Sequence, residues 1–283
     1  MHKITDVKKL KLMANTIRQD VIKMLAEAGS GHPAGSLGMS DIIATLYFYE
    51  IKHNPENPKW VERDRVILSN GHICPALYSA LARSGYFPIE ELMTLRKINS
   101  RLQGHPHNLS TPGIENSSGP LGQGYSMAVG MALAGKMDKK DYRVYCLSSD
   151  GEHNEGQTWE AVMLAAKYHL NNLCVIIDRN NIQISGTSDD VMPLNSLRAK
   201  YEAFNWHVIE ADGHLIHQII DAFDEAKTIL DKPTVIIAHT IPGKGVSFME
   251  RRYEWHGKAP NQDEAEKAIN ELEIEKGRIE DGY

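Results

Sequence analysis

The sequence predicts an α/β fold in which helices cover both faces of an open, mostly parallel sheet. Short continuous apolar runs, bounded by charged or turn residues, are typical of buried central strands. Helical stretches separate these runs, and strand–helix–strand repetition builds a parallel sheet. The runs are residues 66–68, 144–147, 173–177 and 234–238, with 206–209 as a fifth candidate.

Apolar residues at helical spacing predict the helices. The first extends from Thr5 to Ala28, the second begins at Ser40 and continues to Tyr47, and a third covers Thr158 to Tyr168 between two predicted strands. Residues 92–102 are typical of a charged helix. The pattern of the carboxyl-terminal tail, 260–283, predicts a charged helix with a thin apolar stripe. Such a pattern favours a helix that is solvated or that contacts another subunit. That stripe is Ala265, Ala268 and Leu272.

Composition predicts one globular domain over residues 1–283. The chain is 42% apolar and 24% charged, which excludes disordered and fibrous classes. A net charge of -6 disfavours nucleic acid and anionic membranes as partners. The apolar stretch from Ile42 to Tyr49 is too short to cross a bilayer, and three cysteines indicate no disulfide framework. We therefore expect a soluble cytoplasmic protein.

Two predicted strands end in residues with oxygen ligands. Asp150 follows the run 144–147, and Asn180 follows the run 173–177, thirty residues later. Ligands of parallel sheets bind at the carboxyl ends of the strands, and carboxylate and amide oxygens suit Mg²⁺ or Ca²⁺. A helix after Asp150 would point its free N–H groups at a diphosphate. The alternative is that Asp150 and the glycine after it form only a turn.

Among the thirteen histidines is a group of four that stand beside glycine in loop contexts, where packing does not explain them. They are His32, His72, His105 and His256. A ring of imidazoles suits proton transfer and hydrogen bonds to hydroxyls. Helix caps or surface residues are the simpler alternative. A zinc site at His105-Pro106-His107 is a rival, although the preceding segment predicts no core strand. The loop 103–124 is long enough to be functional.

Five motifs occur in the order found in transketolases, and the chain resembles that family over residues 10–260. The resemblance covers only the amino-terminal, diphosphate-binding domain of a transketolase, with its thiamine-diphosphate-binding fold. It therefore implies the small subunit of a split transketolase. The motifs are Gly31-His32-Pro33-Ala34-Gly35-Ser36-Leu37-Gly38, Ser69-Asn70-Gly71-His72, Gly104-His105-Pro106, Gly119-Pro120-Leu121-Gly122-Gln123-Gly124, and Asp150-Gly151 through Asn180.

The resemblance implies a cofactor site. Asp150 and Asn180 would bind Mg²⁺, or Ca²⁺ or Mn²⁺ in its place, by their side chains and Ile182 by its carbonyl, clamping the diphosphate of thiamine diphosphate. Gly151, Gly119 and Leu121 would line the cofactor, with Leu121 against the aminopyrimidine. One departure from the family's Gly-Asp-Gly is Ser149, which stands where the first glycine is expected.

The resemblance also implies catalytic residues. His32, His72, His105 and His256 would surround the thiazolium carbon and the ketose hydroxyls, and His72 and His256 would contact the cofactor as well. Glu155 resembles the family's glutamate that links two active sites across a dimer and lies at the cofactor.

The implied reaction transfers a two-carbon ketol unit from a ketose phosphate to an aldose phosphate, as in the pentose phosphate pathway. A separate pyrimidine-binding subunit would complete the enzyme as an α2β2 assembly, because an essential glutamate belongs to that half. The isolated chain is expected to bind Mg²⁺ and thiamine diphosphate weakly and to lack turnover.

Other assignments stay open at this point. A deoxyxylulose-phosphate synthase-like enzyme or a 2-oxoacid dehydrogenase subunit would share the Asp150 and Asn180 pair, although Pro33, His72 and His105 suit a polyhydroxylated ketose better. The donor could also be a modified ketose, sulfonated or branched. A regulatory or scaffold subunit without catalysis is the non-enzyme alternative.

Overall fold

The computed structural model describes residues 3–282 and confirms the predicted α/β class. Five parallel strands form one sheet in the order β1-β2-β3-β7-β6, and two further strands form a small antiparallel hairpin. The strands are β1 (Arg65–Leu68), β2 (Val144–Ser149), β3 (Leu173–Arg179), β4 (Ile182–Gln183), β5 (Gly186–Thr187), β6 (His207–Asp212) and β7 (Thr234–His239).

Helices cover both faces of the sheet because alternate residues of each central strand point to opposite sides. The helices are α1 (Val7–Ala28), α2 (Pro33–Gly38), α3 (Ser40–Thr45), α4 (Cys74–Ser84), α5 (Gln123–Met137), α6 (Gly156–Lys167), α7 (Ser188–Val191), α8 (Leu197–Ala203), α9 (Ile216–Thr228) and α10 (Gln262–Asp281). Tyr145 and Leu147 of β2 join the apolar cluster under α1, α3, α4 and α9, whereas Cys146 joins the cluster under α5, α6 and α8.

The first helix follows its sequence signals closely. The Asp6 side chain caps α1 by accepting from the backbone N–H groups of Lys8 and Lys9, and Gly29 ends the helix in a left-handed conformation. The second predicted helix begins at Ser40 but changes to a π turn over Leu46–Glu50. The short helix α2, which starts at Pro33, was not predicted.

The predicted charged helix over 92–102 is wrong. A single 3₁₀ segment, Ile89–Thr94, is followed by a loop in which Arg96 and Asn99 have φ angles of 59° and 66°. Left-handed backbone at two nearby residues is incompatible with a continuing α-helix. The loop instead brings Arg96 beside the glycine that precedes His105.

The carboxyl-terminal helix α10 packs against α1. Ala265, Ala268 and Leu272 are buried, and Asn15 Nδ2 donates to the Leu272 carbonyl at 3.0 Å. The expectation of a solvated helix or a subunit contact is therefore wrong for its apolar stripe. Within residues 3–282, no helix combines the length and the apolar character needed to span a membrane. The three cysteines, Cys74, Cys146 and Cys174, are buried and free.

Candidate active site

Two predicted metal ligands lie at one edge of the sheet. Asp150 directly follows β2 and Asn180 directly follows β3, and these strands are neighbours in register, with Ser149 opposite Asp178. The Asp150 N–H donates to the Asp178 carbonyl at 3.1 Å, which extends the ladder past the end of β2. We call Asp150, Asp178 and Asn180 the strand-end site.

Asp150 is 1% exposed, and its carboxylate forms an ion pair with Arg179 of the same chain. Its Oδ2 accepts from Arg179 Nη1 at 2.7 Å and from the Asn181 N–H at 2.8 Å, while Oδ1 accepts from the Gly151 N–H at 2.7 Å. Burial raises the pKa of Asp150, and the Arg179 guanidinium opposes that rise. A metal ion at this carboxylate would share it with Arg179 or displace it.

Asn180 is held at both ends of its amide. The oxygen Oδ1 accepts from the Ile182 N–H at 2.9 Å, and the nitrogen Nδ2 donates to Asp178 Oδ2 at 2.6 Å. The Thr240 hydroxyl donates to the other Asp178 oxygen. Burial raises the pKa of Asp178 to about 7. Asp178 directly follows the apolar run 173–177, and nothing in the sequence marked it as a site residue.

A second buried carboxylate, Glu152, was also missed. It accepts from Ser69 Oγ at 2.5 Å, Ser148 Oγ at 2.9 Å, the Gly122 N–H at 2.7 Å and the Ser149 N–H at 3.0 Å. Glu152 therefore ties the glycine-rich loop before α5 to the ends of β1 and β2. No sequence signal pointed to it, because Ser69 lies 83 residues away.

The residues expected to line the cofactor take different positions. Gly119 (φ 152°) lies against His105, since an added Cβ would be 3.8 Å from that ring. The Leu121 carbonyl accepts from Gln157 Nε2 at 3.0 Å, and Gly151 opens a 3₁₀ turn beside Asp150. Ile182 is buried next to Asn180. Glu155 is exposed just before α6, and its Cβ lies beside Gly122.

The four loop histidines meet in one place, and we call them the histidine cluster. His32 is central, with ring centroids 5.1 Å from His72, 6.3 Å from His105 and 5.6 Å from His256. His72 and His256 are 5.2 Å apart. Within residues 3–282, no three side chains of histidine, cysteine, aspartate or glutamate are arranged to hold a metal ion. The structure therefore gives no support to a zinc site at His105 and His107. The Nδ1 atom of His107 is hydrogen-bonded to the Ser110 hydroxyl.

The histidine cluster is neutral at physiological pH. Burial lowers the pKa of His32 to about 4, and His256 and Arg96 contribute to that shift. Burial also lowers the pKa of His105, His72 and His256. A neutral imidazole accepts a proton and, once protonated, returns it, so the cluster suits acid–base work on hydroxyl groups.

Arg96 is a site residue that the sequence did not reveal. Its guanidinium packs on Gly104, where an added Cβ would lie 2.6 Å from Cζ, and it also lies near Gly31. These two glycines directly precede His105 and His32. Arg96 lowers the pKa of both histidines. A tertiary cation therefore stabilises their neutral forms.

The site has the groups that a metal-bound diphosphate needs. Carboxylate and amide oxygens meet at the strand ends, and Gly151 directly follows Asp150 there. Several buried polar atoms nearby have no partner within residues 3–282, which is unusual unless a ligand or water satisfies them. They are Asn70 Oδ1, Ser118 Oγ, His32 Nδ1 and His256 Nδ1.

Comparison with known families decides the assignment. Residues 9–278 match the family described as transketolase, thiamine diphosphate binding domain. The chain belongs to the transketolase family. It is 44% identical over 266 residues to the 6-deoxy-6-sulfo-D-fructose transketolase subunit of Clostridium sp. (strain MSTE9), covering 94% of this chain and 97% of that relative. It is 42% identical to an apulose-4-phosphate transketolase subunit of Phocaeicola vulgatus, covering 94% of each.

Longer transketolases match over a part of their length. The human enzyme is 40% identical over 264 residues, which are 93% of this chain and 42% of that enzyme. The Pichia stipitis transketolase complexed with sedoheptulose 7-phosphate superimposes with a TM-score of 0.89 at 34% identity, covering 95% of this chain and 41% of that one. The chain therefore spans about two fifths of these transketolases and nearly all of the subunit relatives. A transketolase-type function follows.

Proposed function

We propose that this chain is the diphosphate-binding subunit of a transketolase that uses thiamine diphosphate and Mg²⁺. In this proposal it transfers a two-carbon ketol unit from a ketose phosphate to an aldose phosphate, together with a separate pyrimidine-binding subunit. One observation carries the proposal: the loop 119–122 contacts Glu152, two residues after the metal-ligand candidate Asp150, and also His105 of the cluster of four neutral histidines.

Each group has a role in this proposal. Asp150, Asn180 and the Ile182 carbonyl would hold the metal ion, while glycine N–H groups approach the diphosphate. Bound thiamine diphosphate would supply the electron sink for breaking a carbon–carbon bond. A neutral imidazole of His32 or His105 would take the proton from the donor's C3 hydroxyl and return it to the acceptor's carbonyl oxygen. His72 and His256 would orient the sugar and the cofactor.

An exposed apolar face supports the proposed partner subunit. Helix α5 consists mostly of small and apolar residues, and part of its exposed surface is apolar. Exposed apolar surface of this kind is typical of a contact with another chain. Gly130 on its surface has open space above it, and neighbouring apolar side chains of α5 and α6 are at least one third exposed. These are Met127, Met163 and Leu164. Exposed Glu155 precedes α6, where it could reach a second chain.

The relatives support the partner further, because both are subunits of transketolases. We propose an α2β2 assembly with a pyrimidine-binding subunit of about 300 residues, two domain lengths. Mixing the purified chain with such a subunit, thiamine diphosphate and Mg²⁺ should restore ketol transfer that neither chain shows alone. Full activity of this chain by itself would contradict the split-subunit proposal.

The donor could be a modified ketose. The two subunit relatives act on 6-deoxy-6-sulfo-D-fructose and apulose 4-phosphate, as their names state. We propose a donor panel of xylulose 5-phosphate, fructose 6-phosphate, 6-deoxy-6-sulfofructose and pyruvate, each tested with the reconstituted enzyme. A ketose donor supports the transketolase assignment, whereas consumption of pyruvate alone would favour the synthase-like or dehydrogenase-like alternatives.

A further inference from the structure

Asp178 lies behind the proposed metal ligands and belongs to no role assigned so far. It is 1% exposed at the end of β3, and its backbone carbonyl accepts the Asp150 N–H. Its side-chain partners are the neutral groups of Asn180 and Thr240. Within residues 3–282 no lysine, arginine or histidine forms an ion pair with it.

A buried carboxylate in these surroundings is unfavourable for folding. A buried carboxylate is tolerated when a cation or several charge-assisted hydrogen bonds offset the loss of hydration. Asp178 has two neutral donors, and a second buried carboxylate, Asp150, lies close enough to raise its pKa. An amide or an apolar side chain would avoid this repulsion, so stability does not explain an aspartate here.

The orientation of the Asn180 amide explains better why position 178 is an aspartate. An amide side chain presents its oxygen or its nitrogen by rotating about one bond, and only the oxygen binds a divalent cation. An ionised carboxylate accepts hydrogen bonds but donates none, so in that form Asp178 Oδ2 selects the nitrogen of Asn180, 2.6 Å away. The oxygen then points to the other side, where one N–H, that of Ile182, approaches it and a second lone pair is left for a metal.

Thr240 holds Asp178 in the orientation this requires. Its hydroxyl donates to the second carboxylate oxygen. The next residue, Ile241, donates its N–H to His214 Nε2 at 2.7 Å, and His214 bonds the buried Asp41 at 2.8 Å. The segment after β7 is thus fixed on two sides: Thr240 bonds Asp178 of the strand-end site, and Ile241 is tied through His214 to Asp41.

We propose that Asp178 is a positioning residue, which directs the amide oxygen of Asn180 toward the Mg²⁺ of the bound diphosphate and adds negative charge behind it. This inference rests on the proposed cofactor function. Partners of metal ligands typically change metal affinity by about 10- to 100-fold when they are replaced. The expected signature of Asp178 is therefore a change in metal affinity without a loss of stability.

The test measures binding of thiamine diphosphate by isothermal calorimetry at increasing MgCl₂, with the full chain mixed with a pyrimidine-binding subunit. We expect Asp178→Asn to raise the half-saturating Mg²⁺ concentration by about tenfold and Asp178→Leu by about a hundredfold. At high Mg²⁺ the Asn variant should regain wild-type occupancy. The melting temperature of the metal-free Asn variant should equal or exceed that of the wild type.

Asp20→Asn is the matched control, because Asp20 of α1 is also a buried aspartate but pairs with Arg83. It should lower the melting temperature and leave the Mg²⁺ dependence unchanged. If the folded Asp178→Asn variant shows an unchanged Mg²⁺ dependence, or if it loses stability with no change in Mg²⁺ dependence, the inference about Asp178 is overturned and the proposed function is not. Absence of any Mg²⁺-dependent cofactor binding by the wild-type mixture overturns the proposed cofactor function as well.

Discussion

The strand-end site and the histidine cluster differ in their position in the fold and in hydrogen bonding. Asp150, Asp178 and Asn180 lie at the ends of central strands, and each side chain is held by two or more hydrogen bonds. The imidazoles of the histidine cluster stand on loops, and the Nδ1 atoms of His32 and His256 are buried without partners in the described chain.

This difference indicates a division of work. Ligands held by the sheet keep their geometry when nothing is bound, which suits an anchor for a metal ion and a diphosphate. Groups whose hydrogen bonds are unfilled are ready to bond an incoming substrate. We therefore expect variants of the strand-end site to lose binding and variants of the histidine cluster to lose turnover.

Asp150→Asn should produce the largest effect. Removing the ligand charge should abolish Mg²⁺-dependent binding of thiamine diphosphate, with an affinity loss above about 100-fold, because an amide binds the ion far more weakly. Calorimetry on the subunit mixture measures it, with circular dichroism as the check on folding. If the variant binds thiamine diphosphate with wild-type affinity, Asp150 does not hold the metal ion.

His105→Gln should separate binding from turnover. Glutamine retains hydrogen bonding but does not transfer protons, so kcat of the reconstituted enzyme should fall by about 10² to 10⁴. Cofactor affinity, measured in the same mixture, should stay within about twofold of wild type, since His105 belongs to no proposed metal contact. A variant that loses cofactor affinity but keeps kcat would contradict the division between the two regions.

Another histidine, His153, is buried like the strand-end site and fully hydrogen-bonded. Its Nε2 accepts from the Tyr201 hydroxyl at 2.8 Å and its Nδ1 donates to the Ser149 carbonyl at 3.0 Å. Burial lowers its pKa from 6.5 to about 4. The unfolded chain therefore takes up a proton first as the pH falls, and folding stability is lost between pH 6.5 and about 4.

The contribution of His153 is measurable by urea unfolding at pH 7 and pH 5. The linkage amounts to about 2 kcal/mol lost by pH 5. His153→Gln keeps a donor and an acceptor without titrating, so its unfolding free energy should fall by about 2 kcal/mol less than that of the wild type over this interval. Equal losses in both proteins would show that His153 does not titrate as expected.

Arg96→Gln should have the smallest effect. Removing the guanidinium removes a charge that lowers the pKa of His32 and His105, so the acidic limb of the kcat/KM profile should move to higher pH by less than about one unit. Arg96→Lys should keep the wild-type profile, and added salt should reduce the difference between variants. A shift to lower pH would contradict this placement of Arg96.

The proximity of Asp150 and Asn180 at one edge of the sheet could be predicted from the sequence. Asp150 and Asn180 each follow an apolar run, and one helix between two such runs implies parallel neighbours, so their common edge could be predicted. The loop histidines were also accessible, because glycine and proline around them exclude a packing role. Asp178 and Glu152 were not, since their significance depends on Thr240 and Ser69, 62 and 83 residues distant.

The sequence by itself determined the five central strands, the first helix, the loops that carry histidines and the family to which the chain belongs, because local periodicity and short motifs encode these. Tertiary structure decided the hydrogen bonds that orient the ligands and the neutral state of the imidazoles. Burial and long-range partners control both properties, and neither exists until distant segments pack together.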